Sequence, residues 1–403
     1  MILRWFLSST VRQAVDLRSQ VLKFLSAQRD ILSPEAVQAI EASAAELQQT
    51  IASDVDKKAL LAAMEQTEGI ANKWLKPYPH ASMRENVEVV LVAIAVAMGV
   101  RTFFLQPFKI PTGSMQPTLY GITMRDMRGE ADFQIPGRWG QFCDACFRGT
   151  FYHSLAAEAD GELVGFGPRE HVVRFLNKQA IIMRYRDGGQ TYEKSHYIWF
   201  SPDDNFQYRS GLRDGQTFRK GETILKLAET SGDHLFVDRL SYNFRRPQRG
   251  EIIVFETRGI PGLPQDQFYI KRMVALGDDR VHIGNDRHLV INGQRLDSAT
   301  PHFENVYFFE TNAPAKDSHY SGHVNEVIAR EHGKPGLAPL FPEGAQEFTV
   351  RGNHYMVMGD NTLNSYDSRA WGDFSRTNVI GKSCFVYWPF SSPTGNRFGW
   401  SHR

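Results

Sequence analysis

The chain has 403 residues and a formal net charge of +1. That near-neutral balance argues against a nucleic-acid-binding surface, and three cysteines, Cys143, Cys146 and Cys384, are too few for a disulfide scaffold. The length calls for two or three structural units.

The first of these units reads as helical. Ser33-Pro34-Glu35 combines a capping hydroxyl, a proline at the first helical position and an acid in the first turn. Val37, Ile40, Ala44, Leu47 and Ile51 follow with heptad spacing. Val11, Val15, Leu22 and Leu25 supply a second apolar face, and residues 30–33 a turn between the two. The pattern predicts an antiparallel helical hairpin over residues 5–75, within a tail of residues 1–82. A coiled coil that binds a partner is the alternative. Lys76-Pro77-Tyr78-Pro79 reads as a linker, since each proline disfavours helix at and before itself.

Next comes an apolar run, VEVVLVAIAVAMGVRTFFL, from Val87 to Leu105, whose only charges are Glu88 and Arg101. A helix of about 20 mostly apolar residues crosses a bilayer core, and Arg101 at its end can snorkel toward the headgroups. The expectation is one transmembrane helix over residues 83–105, with a buried core helix as the plainer alternative. Lys73, Lys76 and Arg84 precede it and only Arg101 and Lys109 follow closely. The positive-inside rule therefore weakly favours a cytoplasmic N-terminus.

The run leads directly into QPFKIPTGSMQPTLYG, residues 106–121. Gly113 permits close backbone approach at Ser114, and Pro111 and Pro117 fix the chain on either side. By itself a serine in such a turn is a structural residue, and no G-x-S-x-G elbow surrounds it. A serine hydroxyl becomes a nucleophile only when a base removes its proton.

Residues 122–231 contain the strand-like segments QAIIMRYR, SHYIWFS and ETILKLAE, and the pair Cys143-Asp-Ala-Cys146. A C-x2-C pair is half of a zinc site, but no second pair follows, and His153 and His171 lack a recognisable ligand spacing. Free thiols and a disulfide are the other readings, and no metal is called for. Asp203-Asp204-Asn205 reads as a solvated turn.

From residue 232 onward the chain becomes short β-branched and aromatic runs separated by turns: LFVDRL, EIIVFE, YIKRMVAL, HLVINGQRL, HYMVMGD and SCFVYWPF. Asn292-Gly293 is a strong hairpin signal. The pattern predicts a mostly antiparallel β domain without βα alternation. Residues 300–347, rich in Gly and Pro, are expected to be long loops decorating it. His234, His282 and His354 are expected at the surface or at strand ends. The YIKRMV run carries Lys271. A lysine with its ordinary pKa of about 10.4 is protonated at neutral pH, and only desolvation by an apolar wall turns it into a base. Tyr269, Ile270, Met273 and Val274 flank it.

Four blocks together resemble the bacterial type I signal peptidases, membrane-bound serine proteases with a Ser–Lys dyad. They are QPFKIPTGSMQPTL after the apolar run, GDHLFVDRLSYNFRRPQRGEIIVF, YIKRMVALGDD, and GDNTLNSYDSRAWG followed by GKSCFVYWP. The resemblance covers roughly 90 residues. It implies a signal-peptidase-like antiparallel β catalytic domain built from residues 106–121 and 232–403. It also implies Ser114 as nucleophile, Lys271 as general base, and an oxyanion hole from the Ser114 N–H and the Thr112 hydroxyl. Ser365 would orient the lysine, with Asp367, Arg369, Arg272 and Asp360 as supporting ion pairs. Phe108, Ile110, Pro111, Met115, Leu119, Tyr269 and Ile270 would line shallow pockets for small residues.

The implied reaction is removal of signal peptides from preproteins after an A-x-A-like site, with no cofactor. The implied setting is the bacterial inner membrane, with the lipid bilayer and the preprotein signal peptide as partners and no nucleic acid. A contact of the helical tail with the secretion machinery is a further expectation. Three features depart from the family pattern: Thr112 stands where serine is common, the turn after Lys271 is one residue tighter, and residues 122–231 are a long insertion. Two rivals remain, a self-cleaving regulator with a related dyad and a catalytically silent membrane-anchored scaffold. The apolar run opposes the first, and the presence of both Ser114 and Lys271 opposes the second.

Overall fold

The computed structural model describes residues 8–53, 56–76, 81–130, 132–173, 176–199, 206–308, 321–393 and 395–400. The chain divides into two units, residues 1–95 and 96–403.

In the first unit, three helices replace the expected hairpin: α1 Ser9–Gln28, α2 Pro34–Ala52 and α3 Lys57–Trp74. Ser33 caps α2 as its sequence requires, its hydroxyl accepting from the Ala36 N–H. The heptad face meets Val11 and Ala14 through Leu47 and Ile51, and Val21 and Leu25 through Ile40. The second arm breaks at Ser53, whose backbone is extended, and helix resumes after an extended Asp56. The third helix buries Leu60, Thr67 and Ala71, with Met64, Ile70 and Trp74 packed beside them. Thr67 satisfies itself by donating to the Ala63 carbonyl, 2.8 Å away. Residues 77–79 of the predicted linker lie outside the described residues.

Helix α4 spans Ala81–Phe103, and its segment Met83–Phe103 is the one helix among the described residues long and apolar enough to cross a membrane. Its valines and leucines are exposed around the whole circumference, for example Val89, Leu91 and Met98. A soluble amphipathic helix would instead bury one stripe.

The second unit is built almost entirely of antiparallel strands. In chain order these are β1 Leu105–Lys109, β2 Thr123–Asp126, β3 Thr150–Ala156, β4 Asp160–Val173, β5 Leu176–Asp187, β6 Gln190–Trp199, β7 Thr217–Phe218, β8 Thr223–Thr230 and β9 His234–Asp238. There follow β10 Ile252–Glu256, β11 Phe268–Ala275, β12 Arg280–Ile283, β13 Leu289–Ile291, β14 Gln294–Arg295, β15 Phe348–Thr349, β16 His354–Met358, β17 Phe374–Ser375, β18 Val379–Trp388 and β19 Gly399–Trp400. The main sheet runs β1-β9-β18-β10-β11-β16-β17, with β19 on β18, and a smaller sheet runs β14-β13-β12-β15. The β13–β14 turn is Asn292-Gly293, both with positive φ (53° and 82°), the conformation that asparagine and glycine tolerate at a two-residue hairpin.

Residues 122–231 contain two further sheets, β2-β8-β3 and β6-β5-β4-β7. They close over a core of their own, including Leu163, Ile181, Met183, Tyr185, Phe206 and Leu227. Asp203-Asp204-Asn205 lies outside the described residues. The region 300–347 is not mere decoration: Phe303, Val306, Tyr307 and Phe341 are core residues packed with Val281, Leu289 and Met356. A short helix, Glu326–Glu331, starts at Asn325, whose side chain accepts from the Ile328 N–H. Its buried apolar residues are spaced irregularly among glycines and prolines, so neither a helical nor a strand period marks them.

Candidate active site

The Ser114 segment, residues 110–121, hangs between β1 and β2. Its start is tied to the loop before β9: the Ile110 N–H donates to the Asp233 carbonyl (2.9 Å) and the Tyr120 N–H to the Asp233 carboxylate (2.7 Å). Lys271 comes from the middle of β11, paired opposite Ile253 of β10. The two elements meet with Lys271 Nζ 2.7 Å from Ser114 Oγ. Both side chains are buried, at 5 % relative exposure each. The second bond of Nζ goes to the Ile270 carbonyl, 3.2 Å away.

Burial is the main influence on the amine. It lowers the Lys271 pKa from 10.5 to about 8; the Asp367 and Asp360 carboxylates pull it up and the Arg369 guanidinium pushes it down. An ammonium in this position has lost water without gaining a direct carboxylate partner, so the neutral form is reached at a lower pH than in a solvated lysine.

The carboxylates near the lysine are instead neutralised by arginines. Arg272 follows Lys271 on β11 and so projects to the opposite side of the strand. Its Nε and Nη2 donate to Asp360 at 2.7 and 2.5 Å, and its Nη1 to the Gly250 and His302 carbonyls. Arg369 and Asp367 form a second pair, both at 0 % exposure, with Nε to Oδ1 at 2.8 Å and Nη2 to Oδ2 at 2.9 Å. Burial alone would raise Asp367, but Arg369 and the Gly359 N–H hold its pKa below the usual carboxylate value.

Two positioning residues were not evident from the sequence. Asn361 ties the fourth block to the nucleophile turn, its N–H donating to the Ser114 carbonyl (3.0 Å) and its Nδ2 to the Gly113 carbonyl (3.0 Å). Thr118 donates to Asp360 Oδ2 at 2.5 Å and so joins the Arg272 pair to the same turn. Gly359 is required by crowding: a Cβ there would lie 2.4 Å from the Ser114 carbonyl oxygen and 2.2 Å from Ser365 Oγ.

Two expectations need correction. Ser365 is fully buried, but its hydroxyl makes no hydrogen bond to Lys271 and has no well-formed partner. Its Oγ occupies the space a Gly359 Cβ would need, and it lies close enough to Asp367 to help lower that carboxyl's pKa. Of the expected pocket residues, Ile110, Met115 and Leu119 are buried in a cluster with Leu235, Val237, Ile252 and Val254. They can form only the floor of a binding surface. Pro111 is exposed, and Phe108, Tyr269 and Ile270 are half-buried at its edge.

Thr112 is exposed, and neither its hydroxyl nor the Ser114 N–H has a partner among the described residues. Both are therefore available to a developing oxyanion.

Outside this site, the cysteines are free thiols, and no group of three or more metal-ligating side chains occurs among the described residues. His153 pairs with Glu229 at 2.9 Å, and His171 sits on the exposed part of β4. His234 stands at the start of β9, half-buried, as expected of a strand-end residue. Its ring packs edge-on against Trp388 (4.7 Å), and burial lowers its pKa to about 4. His282 lies 4.0 Å from Glu347, and His354 is half-buried at the start of β16.

The sequence profile of "Signal peptidase, peptidase S26" matches residues 83–127 and 226–388, just over half of the chain. Signal peptidase I of Leptolyngbya laminosa is 31% identical over 173 residues, covering 42% of this chain and 66% of that protein. Signal peptidase I of Helicobacter pylori strain J99 is 30% identical over 169 residues (36% and 57%), and that of Bacillus caldolyticus 29% over 173 residues (42% and 78%). The chain thus spans less than two thirds of the length of the first two. A crystal structure of a signal peptidase I from Enterococcus faecalis V583 is 25% identical, with a TM-score of 0.23 over 34% of this chain and 97% of that one.

Proposed function

The chain belongs to the signal peptidase family, peptidase S26, and from that premise we propose that it is a membrane-anchored serine endopeptidase that removes signal peptides from preproteins. The observation that carries the proposal is the buried 2.7 Å contact between Lys271 Nζ and Ser114 Oγ. In the reactive state the same contact is reversed, with the Ser114 hydroxyl donating to a neutral amine.

The reaction follows from this geometry. Lys271 takes the proton as Ser114 Oγ attacks the scissile carbonyl carbon. The oxyanion that forms is met by the Ser114 N–H and the Thr112 hydroxyl. Lys271 then gives its proton to the departing amine, leaving an ester on Ser114. The Lys271 amine next takes a proton from water as its oxygen attacks that ester, and returns it to Ser114 Oγ as the C–O bond breaks and the acid product leaves. Arg272 and Arg369 each take up one of the two carboxylates near the lysine, Asp360 and Asp367, so that neither becomes its salt-bridge partner. The apolar floor of Ile110, Met115 and Leu119 offers little depth, which favours the small residues of an A-x-A site.

Anchoring rests on α4, entered from a basic side (Lys73, Lys76, Arg84). That bias favours a cytoplasmic N-terminus and an extracytoplasmic catalytic unit, and leaves the helices α1–α3 as the surface for a secretion-machinery contact.

The proposal is tested by sequencing the new N-terminus after incubating the detergent-solubilised protein with an A-x-A preprotein. Cleavage after the second small residue is expected, with loss of cleavage when that residue is made Phe. Cleavage insensitive to this change would exclude the assigned substrate class.

Two more outcomes follow. kcat/KM should rise about tenfold per pH unit up to pH ~8 and then level, because only the neutral amine accepts the proton; a flat profile from pH 6 to 9 would remove Lys271 as the base. Thr112→Val should lower kcat on the order of 10²–10³-fold, as does loss of a single oxyanion donor, while Thr112→Ser keeps the hydroxyl and stays near wild type. Equal activity of both variants would take Thr112 out of the oxyanion hole.

A further inference from the structure

The insertion between β2 and β8 lies almost entirely, over residues 128–225, outside the residues matched by the family profile. Its two sheets each end in an unpaired strand. β3 is the edge of β2-β8-β3, and β6 the edge of β6-β5-β4-β7. Among the described residues no strand pairs with the outer side of either.

A cavity of about 460 Å³ lies between these two edges. On one side it is lined by residues 151–154 of β3, on another by residues 197–199 of β6. Consecutive residues of a strand cannot all point side chains into one cavity, because side chains alternate between the faces. A cavity touching four in a row therefore runs along the strand edge, where unused N–H and C=O groups are presented. The third wall is the helical turn Arg138–Arg148, with Phe142 and Ala145 facing the cavity. That turn is held in place: Trp388 Nε1 donates to the Cys146 carbonyl (2.7 Å) and the Phe390 N–H to the Phe147 carbonyl (3.0 Å). Phe142, Tyr197 and Trp199 are 57%, 51% and 47% exposed. No lining residue carries a fixed charge.

Taken together, these features select the ligand. Free strand edges bind extended backbone, and exposed aromatics without charge bind alternate apolar side chains. The start of β3 is also tied toward the Ser114 segment: the Ser231 N–H donates to the Gly149 carbonyl at 2.8 Å, and Asp233, two residues on, accepts from the Ile110 and Tyr120 N–H groups.

We propose that this groove binds the preprotein itself, receiving an extended, β-forming segment of the mature region beyond the cut as an added strand. The proposal rests on the peptidase reading, which is what brings an extended polypeptide to this neighbourhood.

The test compares two substrates with the full chain in detergent. One is a model preprotein with a Val/Thr/Tyr-rich segment after the A-x-A site; the other is a short peptide spanning the site alone. Phe142→Ala, Tyr197→Ala and Trp199→Ala are combined in one variant; all three are exposed, and circular dichroism checks its fold. KM for the preprotein should rise on the order of tenfold, as expected for removing aromatic anchors, with kcat unchanged and the short peptide unaffected. Backbone N-methylation at alternate positions of the Val/Thr/Tyr segment should raise KM for wild type but not for the variant. An unchanged preprotein KM, or an equal rise for both substrates, overturns the proposal. Failure of wild type to cleave either substrate would count against the peptidase reading instead. In that case, binding of the N-methylated and unmodified Val/Thr/Tyr segments to the Ser114→Ala protein decides on the groove alone: tighter binding of the unmodified segment supports it, and equal or absent binding overturns it.

Discussion

Lys271→Met should abolish cleavage and at the same time make the fold more stable at neutral pH. The first effect is loss of the base; removing one member of a nucleophile–base unit costs on the order of 10⁴-fold or more in kcat. The second follows from the buried amine. Its pKa falls from 10.5 in the unfolded chain to about 8 in the fold, a difference of about 3 kcal/mol. Below pH 8 both states carry the proton, and the native state holds a desolvated ammonium. Between pH 8 and 10.5 the unfolded chain binds the extra proton, so wild-type stability rises with pH. Above 10.5 the penalty is gone. The methionine, similar in length and uncharged, never incurs it. Thermal unfolding in detergent should show the variant ahead of wild type at pH 7 and the gap shrinking by pH 10.5. A variant less stable than wild type at pH 7 would mean that the amine is not desolvated, and the argument for a neutral base would fail with it.

Arg369→Met should have the opposite effect on stability. Asp367 and Arg369 are both at 0 % exposure, and removing one partner of a buried pair leaves an uncompensated charge at a cost of about 3–5 kcal/mol. Arg369 also donates to the Thr362 hydroxyl and to the Val324, Thr362 and Ser365 carbonyls, so the turn that carries Asn361 loosens as well. The catalytic consequence has a definite sign. Arg369 pushes the Lys271 pKa down and Asp367 pulls it up. Without the guanidinium the acidic limb of the kcat/KM profile should move to higher pH. Adding Asp367→Asn should restore part of the stability and return the limb toward its original position. An unshifted limb in a folded Arg369→Met protein would show that the pair supports the fold without tuning the lysine.

The strand segments were legible because β-branched and aromatic alternation survives in LFVDRL, EIIVFE and YIKRMVAL, which became β9, β10 and β11. The dyad was legible only through the resemblance of its blocks. Ser114 and Lys271 are 157 residues apart, and no local period brings them together. The apolar residues flanking Lys271 pointed to its desolvation, but the burial of the adjacent Arg272, at 2 % exposure, carried no signal of its own. Asn361 was missed because two of its bonds are to backbone carbonyls, which carry no sequence signal. The third helix of the tail was not separated from the second because no proline or glycine stands between Ala52 and Lys57 to mark the break. The surroundings of Ser365 were not legible either: it is fully buried with no hydrogen bond from its hydroxyl to Lys271, an arrangement that carries no sequence signal.

The most direct test places wild type, Ser114→Ala and Lys271→Ala on one A-x-A preprotein in detergent, each shown to be folded. Cleavage at the small residue by wild type alone is the predicted result. Undiminished cleavage by either variant, or none by folded wild type, would contradict the assignment of Ser114 and Lys271 as the catalytic pair.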